Sequence, residues 1–298
     1  MSIIIKNLNK VYPNGYNALK DISLEIKGGM FGLLGPNGAG KSTFMRILVT
    51  LMEATSGEVD VYGYDLIRHR DQLRSIIGYL PQDFRFFAKY KVAEFLDYGA
   101  RLSGMNSRKQ RKVAVDDMLE KVGLYDVRNK YASKLSGGMK RRLGIAQALI
   151  HKPKLIVVDE PTTGLDPEER IRFRNLLSDI SSEQTTIVLS THIVGDISSS
   201  CTDMVLLSRG EISFKGSPTE MLDSAKGKVW RTEVDKKAYD IINKDYPIVS
   251  MVATDSSHWM IEVVADELNG FGAENINPNL EHAYVYYMEK NLNLWLND

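Results

Sequence analysis

The stretch that most limits what this chain can fold into is Gly35-Pro36-Asn37-Gly38-Ala39-Gly40-Lys41-Ser42-Thr43, which fulfils the phosphate-loop pattern G-x-x-x-x-G-K-[ST]. Such a loop needs a strand before it and a helix after it. Met30 to Leu34 is apolar enough for a buried strand, and Phe44, Ile47, Leu48, Leu51 and Met52 follow at helical spacing. Gly35, Gly38 and Gly40 let the backbone close into a nest of inward N–H groups, and the helix dipole behind it favours an anion. Lys41 then sets its charge on the outer phosphates, and the Ser42 hydroxyl stands where a magnesium ligand is needed.

The rest of the chain reads as strands and helices delivered to this loop. Ile3-Ile4-Ile5 and Ala18 to Ile26 are two strands around the breaker Pro13-Asn14-Gly15, which predicts an antiparallel β subdomain at the N-terminus. Tyr12 precedes that turn; its ring either stacks on a base or packs on its own hairpin. Gly57 to Tyr62 and Ile76 to Leu80 are further strands, the second ending at Pro81-Gln82. From about 84 to 134 the sequence turns charged and helix-favouring, with apolar stripes at Val92, Phe95, Leu96 and at Val115, Met118, Leu119, Val122. Its basic run Arg108, Lys109, Arg111, Lys112 reads as a solvated face or as a surface for acidic lipid or a partner.

Leu135-Ser136-Gly137-Gly138-Met139 opens another helix, so Ser136 is either a plain N-cap or part of a second anion site. Leu155-Ile156-Val157-Val158 has the continuous apolar character of a strand buried on both faces, and it ends in Asp159-Glu160. Gly164-Leu165-Asp166-Pro167 turns into a helix, and Thr186 to Ser190 is a strand ending at Thr191-His192. In open parallel sheets ligands lie beyond the carboxyl ends of the strands, so the phosphate loop, Asp159-Glu160 and His192 are expected at one edge. Past Pro218 the predicted elements are strands at 228–234, 248–254 and 258–264 and helices at 236–243 and 279–291.

Composition narrows the function classes. Lysine plus arginine and aspartate plus glutamate both total 38, so no global basic field exists to draw in nucleic acid. The single cysteine, Cys201, excludes an intrachain disulfide and a cysteine-based zinc cluster and fits a reducing compartment. No apolar run nears the roughly 18 residues of a membrane span, and the N-terminus has no signal-peptide order, so the expected place is the cytoplasm.

Taken in order, Tyr12, the loop 35–43, Gln82, Leu135 to Met139, Asp159-Glu160, Gly164-Leu165-Asp166 and His192 make the chain resemble the nucleotide-binding subunit of an ABC transporter over residues 2 to about 220. The resemblance implies an α/β P-loop NTPase fold with a mostly parallel core sheet, an N-terminal antiparallel β subdomain and a helical insertion at about 84–134. It sets an ATPase domain at 1–220 and a small α+β appendage at 221–298, either regulatory or mere padding of a dimer. It implies ATP and Mg²⁺ bound by a head-to-tail homodimer, or a pair with a similar cassette, with Ser136, Gly137 and Gly138 capping the γ-phosphate held by the neighbour's loop. In its terms Tyr12 stacks on adenine, Ser42, Gln82 and Asp159 serve the metal, Glu160 polarises the attacking water, and His192 contacts the γ-phosphate. A separate transmembrane permease is implied, with the chain peripheral on the inner membrane face and no direct nucleic-acid contact. Met139 departs from the family's frequent glutamine, and Leu-Ser-Gly-Gly-Met before basic residues is typical of the exporter branch. A soluble relative acting on ribosomes or DNA is the alternative; such proteins carry two cassettes or a long coiled coil, and neither is present in this sequence.

Overall fold

In the computed structural model residues 2–86, 89–182 and 185–292 are described, and they fall into two compact units, one running up to His192 and joined by Ser200–Phe214, the other made of Ile193–Ser199 with the residues from Lys215 onward. The first unit opens with β1 (Ile3–Val11) and β2 (Asn17–Ile26), whose alternating buried residues pack inward, as antiparallel strands with one wet face do. After them come β3 (Met30–Leu34), α1 (Lys41–Leu48), β4 (Ser56–Val61), β5 (Tyr64–Asp65), α2 (Arg70–Ile76) and β6 (Ile77–Leu80). The helical insertion holds α3 (Val92–Leu102) and α4 (Arg108–Lys121), and α5 (Gly137–Leu149) follows. Then come β7 (Leu155–Asp159), α6 (Pro167–Ser182), β8 (Thr186–Thr191), β9 (Asp203–Ser208) and β10 (Glu211–Gly216).

Two sheets result, one antiparallel in the order β2-β1-β4-β5 and one six-stranded in the order β10-β9-β3-β8-β7-β6. In the second, the pairs β9/β3, β3/β8, β8/β7 and β7/β6 are all parallel. Every residue of β3, β7 and β8 is buried, which accounts for their unbroken apolar runs. Register then decides where the chemistry goes. Leu34 lies opposite Thr191, Asp159 opposite Ser190, and Leu80 opposite Val158, so the residues that follow each strand emerge side by side at the carboxyl edge.

Two expectations shift in detail. Ile76 closes α2 rather than starting β6, because only Leu73 of that short charged helix is buried and the apolar pair Ile76-Ile77 spans the junction. The β9–β10 hairpin, which the pattern reading passed over, turns at Arg209-Gly210 with φ of 48° and 84°, the paired positive φ of a type I′ turn.

The second unit contains α7 (Val194–Ser198), α8 (Pro218–Ser224), β11 (Val229–Asp235), α9 (Lys236–Asp245), β12 (Ile248–Ala253), β13 (His258–Val264), β14 (Glu274–Asn275) and α10 (Leu280–Leu292). Its sheet runs β12-β13-β11-β14, with Val234, Ile242, Ile261, Val263 and Leu268 as the core. His282 is buried and spans 2.9 Å from Nε2 to Glu262 Oε2, while Glu262 Oε1 accepts from Arg231 at 2.8 Å. That pair ties α10 to the sheet, and His258 sits apart in a turn with Asp255. Among the described residues no group of three or more His, Cys, Asp or Glu is arranged to hold a metal ion, and no helix is long and apolar enough to cross a membrane.

Candidate active site

The phosphate loop is shaped by its own backbone. At Gly40, the N-cap of α1, φ is +108°, and a Cβ would sit 2.5 Å from the Ala18 carbonyl oxygen. Any other side chain there would carry left-handed strain and a backbone clash together. Tyr16 Oη donates to Gly38 O at 3.1 Å, bracing the loop from outside. Tyr12 stacks on Tyr16 with centroids 6.3 Å apart, and its hydroxyl lies 3.0 Å from Thr43 Oγ1. These groups, with Asn37, Ala39, Lys41, Ser42, Gln82 and Glu160, line a cavity of about 320 Å³.

Lys41 is buried, with Nζ donating to Gly35 O at 2.7 Å and Pro36 O at 3.1 Å, and it stands 3.3 Å from Glu160 Oε1. The carboxylate partner is equally enclosed. Glu160 leaves β7 with φ of 45°, and its N–H donates at 3.1 Å to Ser190 O and Ser190 Oγ. This tight left-handed turn swings its side chain back over the sheet edge, a strain of the kind found where geometry matters. Glu160 Oε2 accepts from Thr163 Oγ1 at 3.2 Å and from Gln82 Nε2 at 3.5 Å, and His192 Nδ1 lies 2.9 Å away. Since the carboxylate only accepts, His192 donates from Nδ1, and a second donor at Nε2 exists only in the imidazolium. Asp159 is buried beside them and accepts from Ser190 Oγ at 2.5 Å.

Lys41, Gln82, Asp159, Glu160 and His192 thus meet at the sheet edge, as the strand ends implied. Ser136, Gly137 and Gly138 do not line the cavity. Ser136 caps its own helix, accepting from Met139 N–H at 3.2 Å. Gly138 is packed so closely on Glu169 that a Cβ would overlap its carboxylate, and Glu169 pairs with Arg142 at 3.4 Å. Gly137 differs: a Cβ there would meet no atom within 4 Å.

Arg141 is a residue of the site's frame that pattern reading missed. Its guanidinium donates to Gln82 O at 2.6 Å, Pro161 O at 2.8 Å, Pro81 O at 3.3 Å and the Glu160 carbonyl. One side chain on α5 therefore fixes the backbone on both sides of the site. Burial pulls Arg141 down from its ordinary value, against the pull of Asp159, Asp83 and Glu160, yet an arginine stays charged at any working pH. In the sequence Arg141 stood only as one of the basic residues after Leu-Ser-Gly-Gly-Met, with nothing to single it out. Thr163 and Ser190, which hold the two acids, were equally invisible because a lone hydroxyl carries no pattern.

Comparison with known proteins bears on the family of the chain. The ABC transporter family model matches residues 19–163. YxlF of Bacillus subtilis, an uncharacterized ABC transporter ATP-binding protein, is 36% identical over 78% of this chain and 77% of its own length. The chain belongs to the ABC transporter ATP-binding family. The methionine import ATP-binding protein MetN of Helicobacter pylori is 34% identical over 84% of this chain and 82% of its own. Among solved structures, the dimeric post-hydrolysis state of the ATP-binding cassette MJ0796, bound to ADP and Pi, superimposes with a TM-score of 0.66. It is 28% identical and covers 72% of this chain and 98% of that one. The family assignment makes the protein an ABC-type ATPase whose activity is coupled to transport, with the α/β P-loop fold described above.

Proposed function

We propose that the protein binds and hydrolyses MgATP in a head-to-tail dimer, with itself or a similar cassette, and thereby drives a separate membrane permease in the direction of export. The observation that carries the hydrolytic part is the enclosed cluster in which Glu160 stands 3.3 Å from Lys41 and 2.9 Å from His192. Phosphoryl transfer asks for positioning and charge neutralisation rather than covalent chemistry, and this cluster offers both.

In this reading Tyr12 stacks on the adenine, the backbone N–H groups of residues 35–43 hold the phosphates, and Lys41 turns from its backbone carbonyls to the outer phosphates. Glu160 orients the attacking water and takes up its proton, while Gln82, Thr163 and His192 keep that carboxylate aimed. His192 meets the γ-phosphate through Nε2. The donor set fits Mg²⁺, a hard cation commonly held by one or two carboxylates plus phosphate oxygens and water: Ser42 offers a hydroxyl, Asp159 a carboxylate with one oxygen fixed by Ser190, and Gln82 an amide. Bound there, the ion would supply neutralisation of phosphate charge.

Ser136, Gly137 and Gly138 are assigned to the neighbour's γ-phosphate. The open side of Gly137 supports this, because among the described residues no atom lies within 4 Å of where a side chain would stand, which leaves room for a neighbour's phosphate. The permease contact is assigned to the segment after Gln82. There Phe86 is half-buried under Lys140 and Tyr90 pairs with Tyr98, while Phe87 lies outside the described residues. Export rests on the signature variant Leu-Ser-Gly-Gly-Met alone, and the small second unit is assigned a regulatory role. The chain would then be peripheral on the inner membrane face.

Glu160→Gln tests the mechanism. The variant should keep MgATP affinity and lose turnover by roughly 10²-fold or more, the scale of a general base. Turnover at the wild-type rate would remove Glu160 from the reaction. Co-purification of a multi-span protein in mild detergent tests the coupling; ribosomes or DNA in its place would overturn it.

A further inference from the structure

The amino-terminal edge of the same parallel sheet carries a second, larger concavity. It measures about 1300 Å³ and opens where β3, β7 and β8 begin, beside Gly29, Lys154 and Thr186, with α4 as a wall. Five residues per strand at about 3.3 Å each put it ~16 Å from the ATP edge. Its floor is apolar, with Leu149, Ile150, Pro153 and Ile180, and Val113 on α4 is 55% exposed beside it. Lys27, Lys109, Lys121, Lys152 and Lys154 line it against one acid, Asp117. Among the described residues Lys27, Lys109, Lys152 and Lys154 make no ion pair. In a chain with no net charge this is a local excess. The basic run on α4 contributes only part of it: Arg111 turns back to Asp97 at 2.8 Å and to the Met105 and Asn106 carbonyls, leaving Lys109 as the run's member at the groove.

We infer that this groove is a docking site for an acidic, amphipathic segment of a partner protein. Lysines lay their methylene stems along apolar surface and hold the ammonium at its margin, so the groove presents an oily floor between cationic rims. A peptide with apolar residues on one face and carboxylates on the flanks satisfies both at once, as in helix-in-groove recognition. A bilayer surface cannot enter a concavity, nucleic acid has no use for the apolar floor, and the volume exceeds the roughly 300–1000 Å³ of small-ligand pockets.

The test uses the full-length protein and a fluorescent peptide of about 14 residues with leucines at i, i+3, i+4 and i+7 and glutamates elsewhere. Saturable binding is expected, weakened by salt, undisturbed by excess MgATP, and absent for the same peptide with lysine in place of glutamate. Lys152→Glu/Lys154→Glu should lower affinity at least about tenfold, and Lys27→Glu/Lys109→Glu should do likewise, both with unchanged ATPase. Equal binding of the lysine peptide, displacement by MgATP, or full affinity in both double variants would overturn the proposal. Sedimentation with phosphatidylglycerol vesicles that needs the same lysines, without peptide binding, would overturn it in favour of lipid.

Discussion

Two glycine-rich loops each begin a helix in this protein, and their glycines are there for different reasons. In the loop before α1, Gly40 is required by the chain itself: its φ is +108° and the Ala18 carbonyl is too near for a Cβ. In the first turn of α5, Gly138 packs against the Glu169 carboxylate, but Gly137 faces open space. The first loop is complete within one chain. The second has one glycine with open space beside it, and the proposed function puts the neighbour's nucleotide in that space. Arg141 then connects the two, since the helix that starts at the second loop holds the carbonyls of Gln82 and Glu160 beside the first.

The largest expected effect separates the loops directly. Gly40→Ala should lower nucleotide affinity of the single chain by about 10²-fold or more, as strain and overlap of a few kcal/mol fall on the cradle itself. Titration with a fluorescent nucleotide below the dimerisation concentration reads this, and unchanged affinity would mean that the loop tolerates a side chain. Next, Arg141→Ala leaves four carbonyls without their donor and should cost about 2–4 kcal/mol of unfolding free energy in urea, with turnover falling as well. Arg141→Lys should restore only part, because an ammonium cannot span carbonyls on two segments.

Smaller effects sharpen the contrast within the second loop. Gly137→Ala, at the exposed first residue of α5, should change stability by no more than about 0.5 kcal/mol, leave single-chain nucleotide affinity alone and still reduce turnover. Gly138→Ala should instead destabilise by about 1 kcal/mol, since Glu169 must move off Arg142. Equal behaviour of the two alanines would erase the distinction.

The smallest effect is at the far end of α5. Burial pushes His151 below its ordinary 6.5, outweighing its bond to Ile77 O, and among the described residues its buried Nδ1 has no partner. The folded state resists protonation, so the unfolded chain takes up the proton first and stability falls as pH drops below about 6.5. His151→Asn should flatten that slope in urea titrations between about pH 7 and 5.

Much of this was legible from residues alone, for identifiable reasons. The first loop is local in sequence, so its pattern, strand and helix could be read together. Asp159-Glu160 and His192 were legible because each follows an apolar run that can only be a buried strand. Register was not legible: that Asp159 lies opposite Ser190 and Leu34 opposite Thr191 depends on strands more than 30 residues apart. Arg141 was hidden because the neighbours that half-bury it, Gln82 and Pro161, come from other segments. The lysine groove was hidden for the same reason, as Lys27, Lys109 and Lys152 are far apart in the chain.

The most direct test of the shared site mixes two inactive variants, Lys41→Ala and Gly137→Glu. The first loses the lysine of the phosphate loop, and the second puts a carboxylate where the partner's γ-phosphate would lie, at a position with room for it. In a head-to-tail pair, one of the two composite sites then combines an intact Lys41 with an intact Gly137. The account predicts that ATP turnover, absent in each variant alone, reappears on mixing. Continued silence of the mixture, with the two chains shown to associate, would mean that both loops serve one chain's own nucleotide and would contradict it.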